Sequence, residues 1–236
     1  PSRRQRQMCI RDRYMAILTK EEAKTLLEKV LALSKADECT VSLYGYESGN
    51  IRYARNSVST SGAESNISLE IESVFGKKVG TATINEFGDE ALARFVKTSE
   101  ELAKLSPENP EYMSVLEPQK YEEGIAYKET TAKITPEDRT KIAEDSINPC
   151  AEKDVTAAGF MENSKSFKAM MNSKKLFAYA KSTDVEFSIT ARTADGTGSG
   201  YATCDFNDFS LFDAKKSTQI ALSLIHISEP TRPSSI

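Results

Sequence analysis

The residues with the most to offer chemically sit together in NIRYARNSVSTSGA, residues 50–63. There Arg52 and Arg55 flank Tyr53, and Asn56 follows. Guanidinium groups present planar donors that match carboxylates, and an asparagine amide both donates and accepts. On a regular extended segment Arg52 and Tyr53 face opposite sides. Such a segment recognises a bound peptide by main-chain pairing along its edge, with polar side chains as anchors. Arg52, Tyr53, Arg55 and Asn56 are therefore the candidate peptide- or partner-binding residues. The competing reading is a solvent-facing edge strand whose arginines pair with nearby glutamates.

Other chemistry is weaker. Gly196, Gly198 and Gly200 in DGTGSGY imitate a phosphate-cradling loop. That loop requires a helix N-terminus directly after it, and a strand pattern follows here, so a hairpin is expected. Asp205, Asp208 and Asp213 lack the spacing of an EF-hand loop and read as turn carboxylates. Met170 and Met171 beside Phe167 read as core filling.

The two ends alter every count. Residues 3–13 read RRQRQMCIRDR and residues 222–232 read LSLIHISEPTR. Codons for the two strings contain ATGTGTATAAGAGACAG and its reverse complement CTGTCTCTTATACACAT. Inverted copies at both termini are what an adapter-flanked DNA fragment encodes. Residues 1–14 and 222–236 are accordingly expected to be adapter-derived, with Met15 a plausible natural start. Without them lysine plus arginine falls from 31 to 25 and aspartate plus glutamate from 35 to 33, so the net charge moves from −4 to −8. An acidic chain without a basic stripe predicts no nucleic-acid partner and no anionic membrane surface, and no apolar run reaches a membrane span.

The one histidine, His226, belongs to the excluded tail. The remainder has no imidazole for a Ser/His/Asp triad, a Cys/His dyad or a zinc site. Cys9 goes with the other end, leaving Cys39, Cys150 and Cys204, too widely spaced for a CxxC pair and read as reduced thiols. No catalytic residue and no metal ligand is expected in these residues.

The elements that must position the candidates read as α+β: helices packed on antiparallel β-sheets, in two blocks. The N-terminal domain covers 15–105. Thr19 and Glu22 form a capping box that opens a helix to about Ser34. Val41 and Leu43 mark a strand, Ser48-Gly49-Asn50 offers a turn, and IRYARNSVS continues as a second extended segment. A period-two strand follows over Asn66–Phe75, a turn at Gly76-Lys77, a strand over Val79–Ile84, and a helix over Asp89–Leu105 with Leu92, Phe95, Val96, Leu102 and Ala103 on one face. Residues 106–134, with Pro107, Pro110 and Pro118, predict a surface linker. The middle domain, 135–221, opens at Thr135-Pro136 with a helix that Asn148-Pro149 stops. Four strands follow (VTAAGFME, LFAYAKST, VEFSITART, GYATCDF), with Asp195-Gly196 as a hairpin turn, and a final helix begins near Asp213.

IRYARNSVSTSGAESNISLEIESVFGKKVGTATINEF, then a helix, then PENPEYMSVLEP, resembles the N-terminal domain of the TldD/PmbA family. FMENSKSFKAMMNSKKLFAYAKST and DGTGSGY resemble its middle domain. The likeness rests on the succession of segments over nearly all of Met15–Ala221, and the PmbA-like side is slightly favoured by the proline-rich segment. It implies a cytoplasmic bacterial zinc metallopeptidase system in which two related subunits, as a homo- or heterodimer, pair around a proteolytic chamber and act on peptide. Zinc is implied only in a later C-terminal domain with an HExxxH-type helix, or in a partner subunit, and no cofactor in these residues. The resemblance leaves two roles open: a scaffold and the wall along which peptide is admitted to a metallopeptidase, or a non-catalytic partner for assembly and substrate binding. An unrelated ligand-binding α+β module is the third alternative.

Overall fold

A computed structural model describes residues 16–122 and 124–225. Met15, Cys9, His226 and most of the two adapter strings lie outside these. The described chain is α+β, with a six-stranded antiparallel sheet in the order β3-β2-β1-β4-β5-β6. The strands are β1 (Glu38–Ala54), β2 (Ser57–Phe75), β3 (Lys78–Ile84), β4 (Val155–Asn172), β5 (Phe177–Thr193) and β6 (Ser199–Phe206). The helices are α1 (Lys20–Leu31), α2 (Asp89–Leu105), the single turn α3 (Glu129–Ala132), α4 (Pro136–Ala151) and α5 (Ala214–Leu224). No helix among the described residues is long and apolar enough to cross a membrane.

The chain forms two compact units. The first takes residues up to 47, 65–125 and 166–181, and the second takes 48–64, 126–165 and 182 onward. The division is therefore not a single point in the chain: β1, β2, β4 and β5 each contribute residues to both units.

In the first unit the capping box at Thr19 is formed, with the Glu22 amide donating to Oγ1 at 3.3 Å and the Thr19 amide to the Glu22 carboxylate at 2.8 Å. Ala23, Leu26, Leu27 and Val30 of α1 are buried and pack with Val41, Leu43, Leu69, Ile71, Leu92 and Phe95. Each of these valine, leucine, isoleucine and phenylalanine side chains contributes about 2 kcal/mol when fully buried. Gly76, at φ 61, closes the β2–β3 turn as expected. Gly80 lets β3 approach α2, since a Cβ there would stand 2.3 Å from the Ser99 carbonyl oxygen. Leu102, expected on the buried face of α2, is instead 44 % exposed, while Ser99 and Glu100 are buried. The Ser99 hydroxyl pairs with that of Ser73 at 2.6 Å, so the face tolerates polar groups that meet partners.

The connection after α2 is held down. Tyr112 and Ser114 donate their hydroxyls to the Glu38 carboxylate, and the Val115 amide donates to it at 3.1 Å. Lys174 stands 3.7 Å from the same carboxylate. These partners hold Glu38 below the usual carboxylate range, the Ser114 hydrogen bond foremost.

The second unit opens α4 with a second capping box, Thr135 and Asp138, with Pro136 in the first turn. Asn148-Pro149 does not stop this helix, which runs to Ala151. Pro149 lies in the last turn, two residues before the helix ends. Ile142, Ala143 and Cys150 pack with Ile51, Met161, Val185, Phe187, Ile189 and Ala202. Leu222, inside the expected adapter string, is also part of this core at 6 % exposure. The four expected strands resolve into three: FMENSKSFKAMM continues β4, and LFAYAKST and VEFSITART are one strand, β5. Gly196, at φ 74, turns β5 into β6, so the glycine-rich string is a hairpin. Asp213 caps α5 by accepting from the Lys216 amide at 3.0 Å, and Asp208 caps a short 3-10 turn.

Candidate functional site

The expected turn at Ser48-Gly49-Asn50 is not formed. β1 runs straight through it to Ala54, and the chain reverses at Arg55-Asn56. Both turn residues take positive φ, 52° and 58°, the two-residue loop whose twist matches paired strands. The reason lies in unit packing. At Gly49 a Cβ would meet the Arg139 guanidinium at 2.4 Å, so the glycine serves a close approach rather than a reversal.

The structure separates the four candidates. Tyr53 is 2 % exposed within the second unit's core, its hydroxyl without a hydrogen-bond partner among the described residues. Burial raises its pKa far above the ordinary phenol value. Gly159 exists opposite it: a Cβ there would sit 2.3 Å from the hydroxyl. Arg52 points to the other side, as alternation requires, and lies over the Phe160 ring at 4.8 Å. Asn56 is a clamp on β4: its Nδ2 donates to the Val155 carbonyl at 3.0 Å and its Oδ1 accepts from the Ala157 amide at 2.6 Å. Arg52 and Arg55 are both exposed, and Arg55, at the tip, has no ion pair among the described residues. β1 lies between β2 and β4, so its own edges are used; an edge-strand reading of Arg52 and Tyr53 does not hold.

Three features were not visible in the sequence. Arg139 is 6 % exposed, with Nη1 donating to Asn163 at 2.8 Å and Nε unpartnered among the described residues. Burial lowers its pKa. Asp184 on β5 is solvent-exposed, yet its pKa is raised to about 6: partial desolvation against the sheet comes first, then a hydrogen bond to Asp205, then the charges of Asp205, Glu186 and Glu162. In the first unit a cleft of about 630 Å³ is lined by Leu31, Cys39, Met171, Asn172, Ser173 and Phe177 among others. Its Cys39 thiol is pushed up to about 11 by burial, which keeps it protonated and unreactive. Among the described residues no three His, Cys, Asp or Glu side chains are grouped to hold a metal. The described residues do not fit a zinc site.

Residues 39–103 match the family model described as PmbA/TldA metallopeptidase domain 1, and residues 121–225 match the PmbA/TldA metallopeptidase central domain. The chain belongs to the PmbA/TldD family and carries its first and central domains. No curated protein matches it. Among solved structures it is similar to TldE from Thermococcus kodakarensis, at 17 % identity and TM-score 0.74, over 85 % of this chain and 46 % of that one. A proposed modulator of a DNA gyrase from Thermotoga maritima matches at 16 % identity and TM-score 0.75, over 88 % and 48 %. One from Bacteroides thetaiotaomicron matches at 15 % and 0.72, over 89 % and 50 %. At these identities the likeness is one of fold. The chain spans about half the length of each.

Proposed function

We propose that this chain is the front portion of a subunit of a zinc metallopeptidase system, in which it acts as scaffold and as a wall along which peptide is admitted. The observation that supports this reading most is the match, in order, of two consecutive metallopeptidase-family domains. Zinc belongs in a C-terminal domain downstream or in a paralogous partner subunit, and the assembly works in the cytoplasm. The alternative is a parent that never carries zinc and serves assembly and substrate binding.

The test is the reading frame past residue 221, followed by metal analysis of the complete protein. An HExxxH helix and one zinc per chain support the first role. A complete frame without that helix, purified free of zinc, assigns the second. Peptide cleavage by the present chain alone would overturn both.

A further inference from the structure

β2 is longer than the strand that covers it. β3 pairs with it only from Leu69 to Phe75. Before that, every residue from Ser57 to Asn66 is exposed, on both faces of the strand. The inner side is committed to β1, where the Ser59 and Ser61 hydroxyls reach the Arg52 and Asn50 carbonyls, each at 3.1 Å. With a two-residue loop, Ser57, Ser59 and Ser61 turn their main-chain groups toward β1, and Val58, Thr60 and Gly62 turn theirs outward. No described residue pairs with that outer edge. Natural edges are usually blunted by lysine, proline or a covering element; this one has neither residue, and its side chains are almost all small.

We propose that this outer edge, Ser57–Glu64, is a strand-addition site for a short peptide bound antiparallel, its C-terminal carboxylate at Arg55 and its N-terminal ammonium near Glu64. The inference rests on the peptide-handling reading above and names its element, direction and length. An antiparallel guest ends where β2 begins, which brings its carboxylate to Arg55. Its amino end falls at Glu64, the one acidic residue of the segment. Neither charge has an ion-pair partner among the described residues. Arg55 also occupies a left-handed position (φ 52°) that glycine or asparagine would fill with less strain. Eight residues span roughly 27 Å at about 3.4 Å each, so the edge selects peptides of about that length. Small flanking side chains and open faces make recognition depend on main chain and termini rather than on guest sequence.

The experiment is titration of the ¹⁵N-labelled full chain with the octapeptide Val-Thr-Val-Thr-Val-Thr-Val-Thr, with free termini. Amide signals of Val58, Thr60 and Gly62 are expected to shift together. Thr60→Pro, which removes an outward N–H and leaves the β1 side intact, abolishes the shifts without lowering the melting temperature. A peptide N-methylated on alternate residues fails to bind the unaltered protein. Amidating the peptide C-terminus weakens binding by about fivefold or less, and Arg55→Ala adds no further loss to the amidated peptide. Shifts confined to other residues overturn the edge site and leave the peptide-handling reading standing. No shift anywhere at millimolar peptide overturns both. Concentration-dependent shifts of the same amides without peptide, with dimers in sedimentation, would make a second copy the occupant and overturn the proposal.

Discussion

At the scale of single residues, Tyr53 and Arg55 lie two positions apart and face different fates. The Tyr53 hydroxyl is buried with no hydrogen-bond partner among the described residues, so it costs stability and offers no contact to a ligand. Tyr53→Phe is expected to raise the unfolding free energy by about 1 kcal/mol and leave peptide binding unchanged, as read by denaturant melts and the titration above. Loss of binding would return Tyr53 to the site. Arg55 is the opposite case, exposed and held at φ 52°. Arg55→Gly is expected to stabilise the protein by about 1 kcal/mol while weakening binding of a free-carboxylate peptide. Composition and alternation were enough to put Arg52 and Tyr53 on opposite sides. Nothing local distinguished Gly49 as a contact for Arg139 from Gly49 as a turn, because that guanidinium arrives from a helix ninety positions along the chain.

At the scale of elements, two carboxylates give opposite pH signatures. Asp184 has its pKa raised to about 6 from 3.8 on β5. Its contribution to stability is complete below the unfolded value and is lost as pH rises through about 6. Asp184→Asn is therefore expected to raise the melting temperature relative to the unaltered chain above about pH 6 and to leave it unchanged below about pH 4, read by thermal melts across that range. Glu38 is depressed by the connection it holds. Its contribution is present above the unfolded value, 4.5, and is lost as pH falls below it. Glu38→Gln is expected to remove that acid-side loss and to speed protease cleavage within residues 106–122, followed by mass spectrometry; unchanged cleavage would show that other contacts hold the connection. The starts of α1 and α4 and the span of α2 were legible from the sequence because their signals are local, Thr19 with Glu22 and Thr135 with Pro136, whereas α3 inside the expected linker and the end of α4 were not. Strand lengths were not. β5 joins two apparent strands across Ser182-Thr183, where the Thr183 hydroxyl donates to the Asn207 carbonyl at 2.9 Å and its amide to Ala126 at 3.1 Å. Polar residues that end a strand in the sequence are satisfied here by distant partners.

At the scale of the whole molecule, each family match, 39–103 and 121–225, contributes residues to both units, and neither unit is continuous in sequence. The described residues group no metal ligands. Zinc titration of the purified chain is accordingly expected to show no tight stoichiometric site, measured by competition with a chromogenic chelator; a site retained after removal of residues 222–236 would contradict the assignment of zinc to a downstream domain or partner. The amino-acid sequence by itself determined the α+β class, the helix caps, the turns at Gly76 and Gly196, the acidic balance and the lack of histidine between residues 15 and 221. These depend on residue type and on neighbours within a few positions. Only the tertiary structure decided which candidate residues are buried and which strand keeps an open edge. Burial and edge exposure depend on what packs alongside, and β2 is open at Ser57–Glu64 because β3 reaches no further than Leu69.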